Sequence, residues 1–374
     1  MAVEVTFELP YTQWDWKVAV YVAMLGIASG AYLSGFVADL LSRQRESSEY
    51  GQIAKYGYLT GLVGIAIGPP ILLSHLATPL RAMVIPLTMT NFGSWMTLGA
   101  YMLGGLALGT LLMFAWTAFG RDRPHAPTAE DLEGGVAADG GSDVASDGGP
   151  AEAATGDQTT GGVRSVAARV GLLDRLDALA DYTRPSEPVR LAIGALFGLF
   201  AAGVLLYSAM AYGSGPTERV PLWDKTFLIP VQIASGLGAG LVVAVGLTAI
   251  ADRSVGRELQ NGALAAGGLL VVALATVLAT VFALPGQVPA AEPAVENMVS
   301  TYAWLFIGVA VIGGLVVPVV LTIGAAVGQR RGTLSPSAAT ASYAFAAALV
   351  IVGKIALALS YLLAAEFTPL PLPI

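Results

Sequence analysis

Apolar positions along the chain fall into eight long runs separated by short polar stretches: Trp16–Leu41, Tyr56–Ser74, Phe92–Phe119, Val189–Tyr212, Phe227–Ile250, Ala263–Leu284, Thr301–Val327 and Ala338–Ala364. A hydrocarbon core of ~30 Å needs about 20 helical residues to cross, and each run supplies roughly that length. Barrel strands would read as short alternating segments, which these runs are not. The pattern predicts an all-α integral membrane protein with eight transmembrane helices. Only one long polar segment interrupts it, Gly120 to Glu187, which divides the chain into 1–119, 120–187 and 188–374. The middle of that segment, Thr128 to Gly162, is built from Gly, Ala, Asp, Ser and Thr, too polar to bury a core, and is expected to be disordered. Its last part, Arg164–Tyr182, has the spacing of an amphipathic surface helix, with Val166, Val170, Leu173, Leu176 and Leu179 along one side.

Composition agrees with the pattern. Hydrophobic residues make up 55% of the 374 and charged residues 12%, with a mean hydropathy of +0.69; a soluble domain carries about a quarter charged residues. Several of the 45 glycines stand four apart inside the runs: Gly26/Gly30, Gly57/Gly61, Gly64/Gly68, Gly105/Gly109 and Gly236/Gly240. That spacing lets helix backbones touch, and it specifies architecture rather than chemistry. There is no Cys, hence no disulfide framework, thiolate-held cluster or catalytic thiol. The net charge of −7 argues against nucleic acid as a partner. Few Lys relative to Arg, with loops rich in Asp, Glu, Ala and Gly, is a halophile-like balance. Glu4, Glu8 and Asp15 give the start the wrong sign for a cleavable signal, so the first run is expected to stay as a helix.

Lys and Arg set the expected orientation, because cytoplasmic loops are enriched in them. The odd-numbered loops hold fourteen, with Arg190 at the edge of the fourth run counted to the third loop, and the even-numbered loops three, Arg81, Arg219 and Lys225. Both termini are expected outside a cell membrane, with the acidic loop in the cytoplasm.

The candidate chemistry concentrates between the second and third runs. Pro69 and Pro70 remove two amide donors near the outer end of the second run and would free the carbonyls of Ile65 and Ala66. His75, Thr78, Pro79 and Arg81 follow within a few turns, then Asn91, Ser94 and Trp95 as the third run begins. A histidine there can exchange a proton near neutral pH, and an arginine can hold a carbonyl or carboxylate oxygen. A plain interfacial turn with both side chains solvated fits the same residues. Asp39, at the inner end of the first run, can admit protons or simply sit at the interface. Lys354 lies near the middle of the eighth, where a charge costs ~2.5–3.5 kcal/mol or more, so it must face protein or water; a carboxylate or backbone carbonyls are its expected partners. Tyr207 and Ser208 can hydrogen-bond a buried ligand from the outer half of the fourth run. Trp14, Trp16, Trp223 and Trp304, near run ends, fit an aromatic belt.

The chain resembles the NrfD/PsrC family, membrane subunits of polysulfide-reductase-like molybdoenzyme complexes. The resemblance rests on Trp14-Asp-Trp16 with Gly26, Gly30 and Tyr32, on His75-Leu-Ala-Thr-Pro79-Leu-Arg81, and on Ser94-Trp95-Met96 with Gly99. It continues through Tyr207-Ser208, Pro221-Leu222-Trp223, Ser235-Gly236 and Gly240, and covers all eight runs in order. Ala209 departs from the Gly often found after the Tyr-Ser pair, and the long acidic loop has no counterpart role. The resemblance implies two four-helix bundles, no haem and no iron–sulfur cluster in this chain, and menaquinone or another quinone bound near the outer face. It implies docking of a ferredoxin-like iron–sulfur subunit that connects to a molybdopterin catalytic subunit, in electron transport of the anaerobic-respiration kind. Placed on these positions, His75 would take a proton, Tyr207 would hydrogen-bond a ring oxygen, Arg81 would orient the head group, and Ser94 and Trp95 would shape the wall. Asp39 and Lys354 are the candidates for a proton path.

Two other readings compete. A haem-carrying anchor would need paired axial ligands, and only His75 of the two histidines is membrane-proximal. A secondary transporter would suit the interrupted second run, Asp39 and Lys354. No internal repeat and no second interrupted run in a corresponding position accompany them.

Overall fold

The computed structural model describes residues 15–75, 91–120, 163–210, 212, 220–252 and 256–365; Trp14, Thr78, Pro79, Arg81 and the stretch 128–162 lie outside the described residues. The described residues form α1 (Trp16–Gln44), α2 (Ser48–Leu73), α3 (Trp95–Ala118), α4 (Val163–Arg169), α5 (Leu173–Thr183), α6 (Glu187–Met210), α7 (Lys225–Asp252), α8 (Arg257–Gln287), α9 (Glu292–Val299), α10 (Trp304–Arg330) and α11 (Pro336–Leu363). Eight of these, all but α4, α5 and α9, are long and apolar enough to cross a membrane. The protein is therefore all-α and multi-pass, as the run pattern predicts.

The helices form two groups of four. In the first, α1 packs on α2 and α6, and α3 on α2 and α6. In the second, α7 packs on α8 and α11, and α10 on α8 and α11. The groups meet where α1 lies against α7 and α11. The acidic segment thus interrupts the first group between its third and fourth members.

Glycine permits the junction. A Cβ on Gly30 would lie 2.0 Å from the Gly236 carbonyl oxygen, and one on Gly240 would lie 2.1 Å from the Ala31 nitrogen. These are backbone atoms that cannot swing aside, so the two helices touch main chain to main chain. A Gly240→Val protein should melt markedly lower in detergent, since overpacking a close contact costs about 1–3 kcal/mol or more. Gly268→Val, where nothing lies within 4 Å of an added Cβ, is the matched control; equal melting of the two variants would show that the junction yields easily.

Three expectations need correction. Pro69 and Pro70 do not break the second helix, because α2 runs through them to Leu73. Only the last turn follows the prolines, and it is closed by Ser74 N–H donating to Pro70 O and His75 N–H to Leu72 O. Trp223 is not in an aromatic belt. It is 1% exposed, its Nε1 donates to Tyr361 O at 2.9 Å, and its ring meets Tyr212 edge-on; Trp16 and Trp304 are the outward-facing pair. Arg190 is not a loop residue. It lies in the first turn of α6 and is buried.

α10 has an unusual first half, a π-helix over Trp304–Val316 that continues as α-helix from Val317. Such wide turns are rare beyond a single bulge. Here the π segment ends beside Gly353 of α11, which a Cβ on Gly314 would strike at 2.3 Å.

Candidate functional site

At one membrane face α1 begins, α2 ends, α3 begins and α6 ends. Asp15 caps α1, its Oδ1 accepting from the Lys17 amide at 2.9 Å, as an N-terminal carboxylate should. Its other oxygen, Oδ2, lies 3.3 Å from Nδ1 of His75, two residues past α2. Lys17 Nζ donates to Ser74 O at 3.2 Å, tying the same two helix ends together. A carboxylate accepts only, so a hydrogen bond across this contact would be donated by Nδ1. His75 is about a fifth exposed, enough for a ligand or water to reach it.

Tyr21 sits roughly 9 Å further along α1, six residues at 1.5 Å each. Its side chain approaches that of Tyr207 in the last turn of α6. The ring of Tyr207 packs against Gly99 of α3, where an added Cβ would collide with it. Any side chain at position 99 would push Tyr207 away. Gly68 of α2 faces Tyr21 and Met24 of α1. Ser94 stands at the start of α3 with no cap bond from its hydroxyl, and Trp95 is the first residue of that helix, half-buried one turn before Gly99. The structure thus brings His75 to Asp15 and Tyr207 to Tyr21 and Gly99, with Ser94 and Trp95 at the same end of the bundle. Arg81 lies outside the described residues.

Asp39 stands near the opposite face, fully buried. Arg190 Nη2 donates to both its oxygens, at 2.8 and 2.7 Å, and Tyr58 Oη donates to Oδ2 at 3.3 Å. Arg43 Nε approaches Oδ1 to 3.5 Å and also pairs with Glu187. Tyr32 closes the cluster, its ring 5.3 Å from that of Tyr58 and its hydroxyl donating to Gly194 O. Asp39 is the anchor of an internal ion pair, so a proton-entry role would require that pair to open.

Lys354 is buried in α11, and its partners are neither a carboxylate nor backbone carbonyls. Nζ donates to Gln232 Oε1 at 2.7 Å and to Ser235 Oγ at 2.6 Å, both on α7. Ser235 in turn donates to Val231 O, which leaves its lone pairs for the lysine. The stem of Lys354 runs against Gly26 of α1, so the residue sits where the two helix groups meet. A cavity of about 10 Å³, close to the smallest that holds one water, adjoins it between Ser235, Gly314 and Gly353.

The family model described as polysulphide reductase, NrfD, matches residues 4–359. The chain belongs to the NrfD family. It is 35% identical over 86 residues to the C subunit of polysulfide reductase from Wolinella succinogenes, a stretch that covers 23% of this chain and 26% of that protein.

In this NrfD protein four partners escape a reading of the sequence. Asp15 carries a signal, standing immediately before the first apolar run where a cap belongs. Tyr21, Arg190 and Gln232 carry little, since each acts through a residue more than a hundred positions away.

Proposed function

We propose that this protein is the quinone-reactive membrane subunit of an oxidoreductase complex, passing electrons between quinol in the bilayer and an iron–sulfur subunit docked at the His75 face. What supports the reading is a positioned proton acceptor and a hydroxyl pair at one end of one bundle. His75, steered by Asp15 through Nδ1, takes a proton from a quinol hydroxyl at Nε2. Tyr207, held by Tyr21 and Gly99, hydrogen-bonds the other ring oxygen, and Ser94 and Trp95 border the pocket. Arg81 orients the head group. Removing two electrons and two protons from a quinol requires a polar partner at each oxygen. The electrons leave through the docked subunit to a molybdopterin catalytic subunit, and a relative that is itself one lettered subunit of polysulfide reductase fits such an assembly. Asp39 and Lys354 belong, in this reading, to the route by which protons cross the two bundles. The secondary-transporter reading loses its main support with the continuity of α2. Quinol-dependent turnover of the assembled complex carrying His75→Ala is the decisive experiment.

The same reading places both termini and the His75 face outside the cell membrane and residues 128–162 in the cytoplasm. Protease added to intact cells should leave 128–162 uncut, while inverted vesicles should lose it. Cleavage from outside would invert the orientation and move the quinone site to the cytoplasmic face.

A further inference from the structure

The segment joining α3 to α6 carries two apolar surfaces, and the fold uses one. Ala167, Leu173, Leu176 and Ala180 pack into the molecule. Val166, Val170, Leu172, Leu179 and Tyr182 remain exposed, Tyr182 at 90%. The side predicted as a single stripe is therefore split: Leu173 and Leu176 turn inward, Val166, Val170 and Leu179 outward. Leu172, Leu179 and Tyr182 recur at helical spacing, so they share a face, with exposed Arg175 on the same flank.

The polar side of the segment fixes its height. Arg184 Nη2 donates to the Trp116 and Phe119 carbonyls, both at 2.6 Å, and Arg164 Nη1 to the Ala118 carbonyl at 3.4 Å. These are carbonyls that a helix end leaves without intrahelical partners. Asp177 binds Arg164 through both oxygens and accepts from the amide of Gly120, whose φ of +100° ends α3. Trp116 Nε1 donates to Thr183 Oγ1 at 3.1 Å. The segment is thus clamped to the last turn of one membrane-crossing helix, and α6, the next, starts at Glu187. The start of α6 has an open apolar groove of its own, about 370 Å³, lined by Pro188, Val189, Ala192, Ile193 and Leu196.

We propose that α4 and α5 form an interfacial anchor whose stripe of Val166, Val170, Leu172, Leu179 and Tyr182 is sunk into the headgroup–acyl boundary of the leaflet where α3 ends. Amphipathic helices bind bilayers in this way, with aliphatic side chains among the acyl tails and basic residues at the phosphates. Arg169 and Arg175, both exposed beside the stripe, are the matching cations, and Tyr182 has the amphipathic ring that favours this depth. The acidic stretch 121–162 is a poor cover, since Leu132, Val136 and Val144 are its only large apolar residues and it has no aromatic one.

The lack of Cys allows single-site labelling of the full-length protein in liposomes. Nitroxides at Val166→Cys and Leu179→Cys should collide several-fold more with oxygen, which concentrates in the bilayer, than with a water-soluble nickel chelate. Asp174→Cys, exposed on another side of α5, should show the reverse. If the labels at 166 and 179 behave like the one at 174, the stripe faces water and the anchor is refuted. If they are shielded from both reagents, protein covers the stripe, whether a second copy, a partner or the acidic stretch, and the anchor is equally refuted.

Discussion

His75→Ala should leave the complex assembled and cut quinol-dependent turnover by about 10²- to 10⁴-fold, the usual worth of a positioned acid–base group. The imidazole lies two residues beyond the end of α2, beside Asp15, so its loss removes no side chain from a membrane-crossing helix. Activity with an artificial donor that feeds the catalytic subunit directly should survive, because that path bypasses the membrane. Asp15→Asn keeps a polar partner beside Nδ1 while removing the carboxylate, so it should slow turnover less than His75→Ala. Arg81→Ala should weaken quinol binding more than it slows chemistry, the pattern of a group that only positions a ligand. Lys354→Ala, at the junction of the bundles, should spare quinol oxidation while lowering stability. Full quinol turnover in an assembled His75→Ala complex would end the proton-acceptor role and leave His75 as part of an interfacial turn.

The spans were legible because a bilayer demands long apolar runs, and little else produces them. Their ends were less so. α2 starts at Ser48, eight residues before the apolar run at Tyr56, because the polar turn Ser-Glu-Tyr-Gly-Gln is as content in a helix leaving the membrane as in a loop. The place of Arg190 is hidden for a sharper reason. An arginine at the edge of an apolar run usually marks the end of a span, and its burial follows only from a carboxylate 151 positions earlier. The functional face divides in the same way. His75 and Tyr207 stood out by residue type and place, whereas Tyr21 is one tyrosine among thirteen until the fold sets it against Tyr207. Lys354 announced itself as a buried charge, but nothing in its neighbourhood of sequence named Gln232 and Ser235 as its acceptors. Local chemistry is written locally; pairings across helices are decided by which glycines let which backbones meet.

The buried pair at the opposite face makes the largest stability prediction. Arg190→Leu leaves the Asp39 carboxylate buried and without its closest donor, and Asp39→Leu leaves the guanidinium equally stranded. Removing one partner of a buried pair costs about 3–5 kcal/mol, chiefly through the uncompensated charge that remains. Each single variant should therefore melt far below the unmodified protein in detergent or nanodiscs, and should yield less folded protein. Asp39→Leu with Arg190→Leu removes both charges and leaves lost packing, the unfilled hydrogen bond of Tyr58 and an Arg43 that still pairs with Glu187. The double variant should accordingly be more stable than either single one, a non-additivity that marks direct coupling. Arg43 sharpens the test, since at 3.5 Å from Asp39 it supplies a second, weaker partner. It should partly shelter Asp39 in Arg190→Leu but cannot help Arg190 in Asp39→Leu, so the aspartate variant should be the worse of the two. If the two losses simply add in the double variant, Asp39 and Arg190 are not an energetic unit, and the face is held together by Tyr32, Tyr58 and the glycine contacts of α1 and α2 instead.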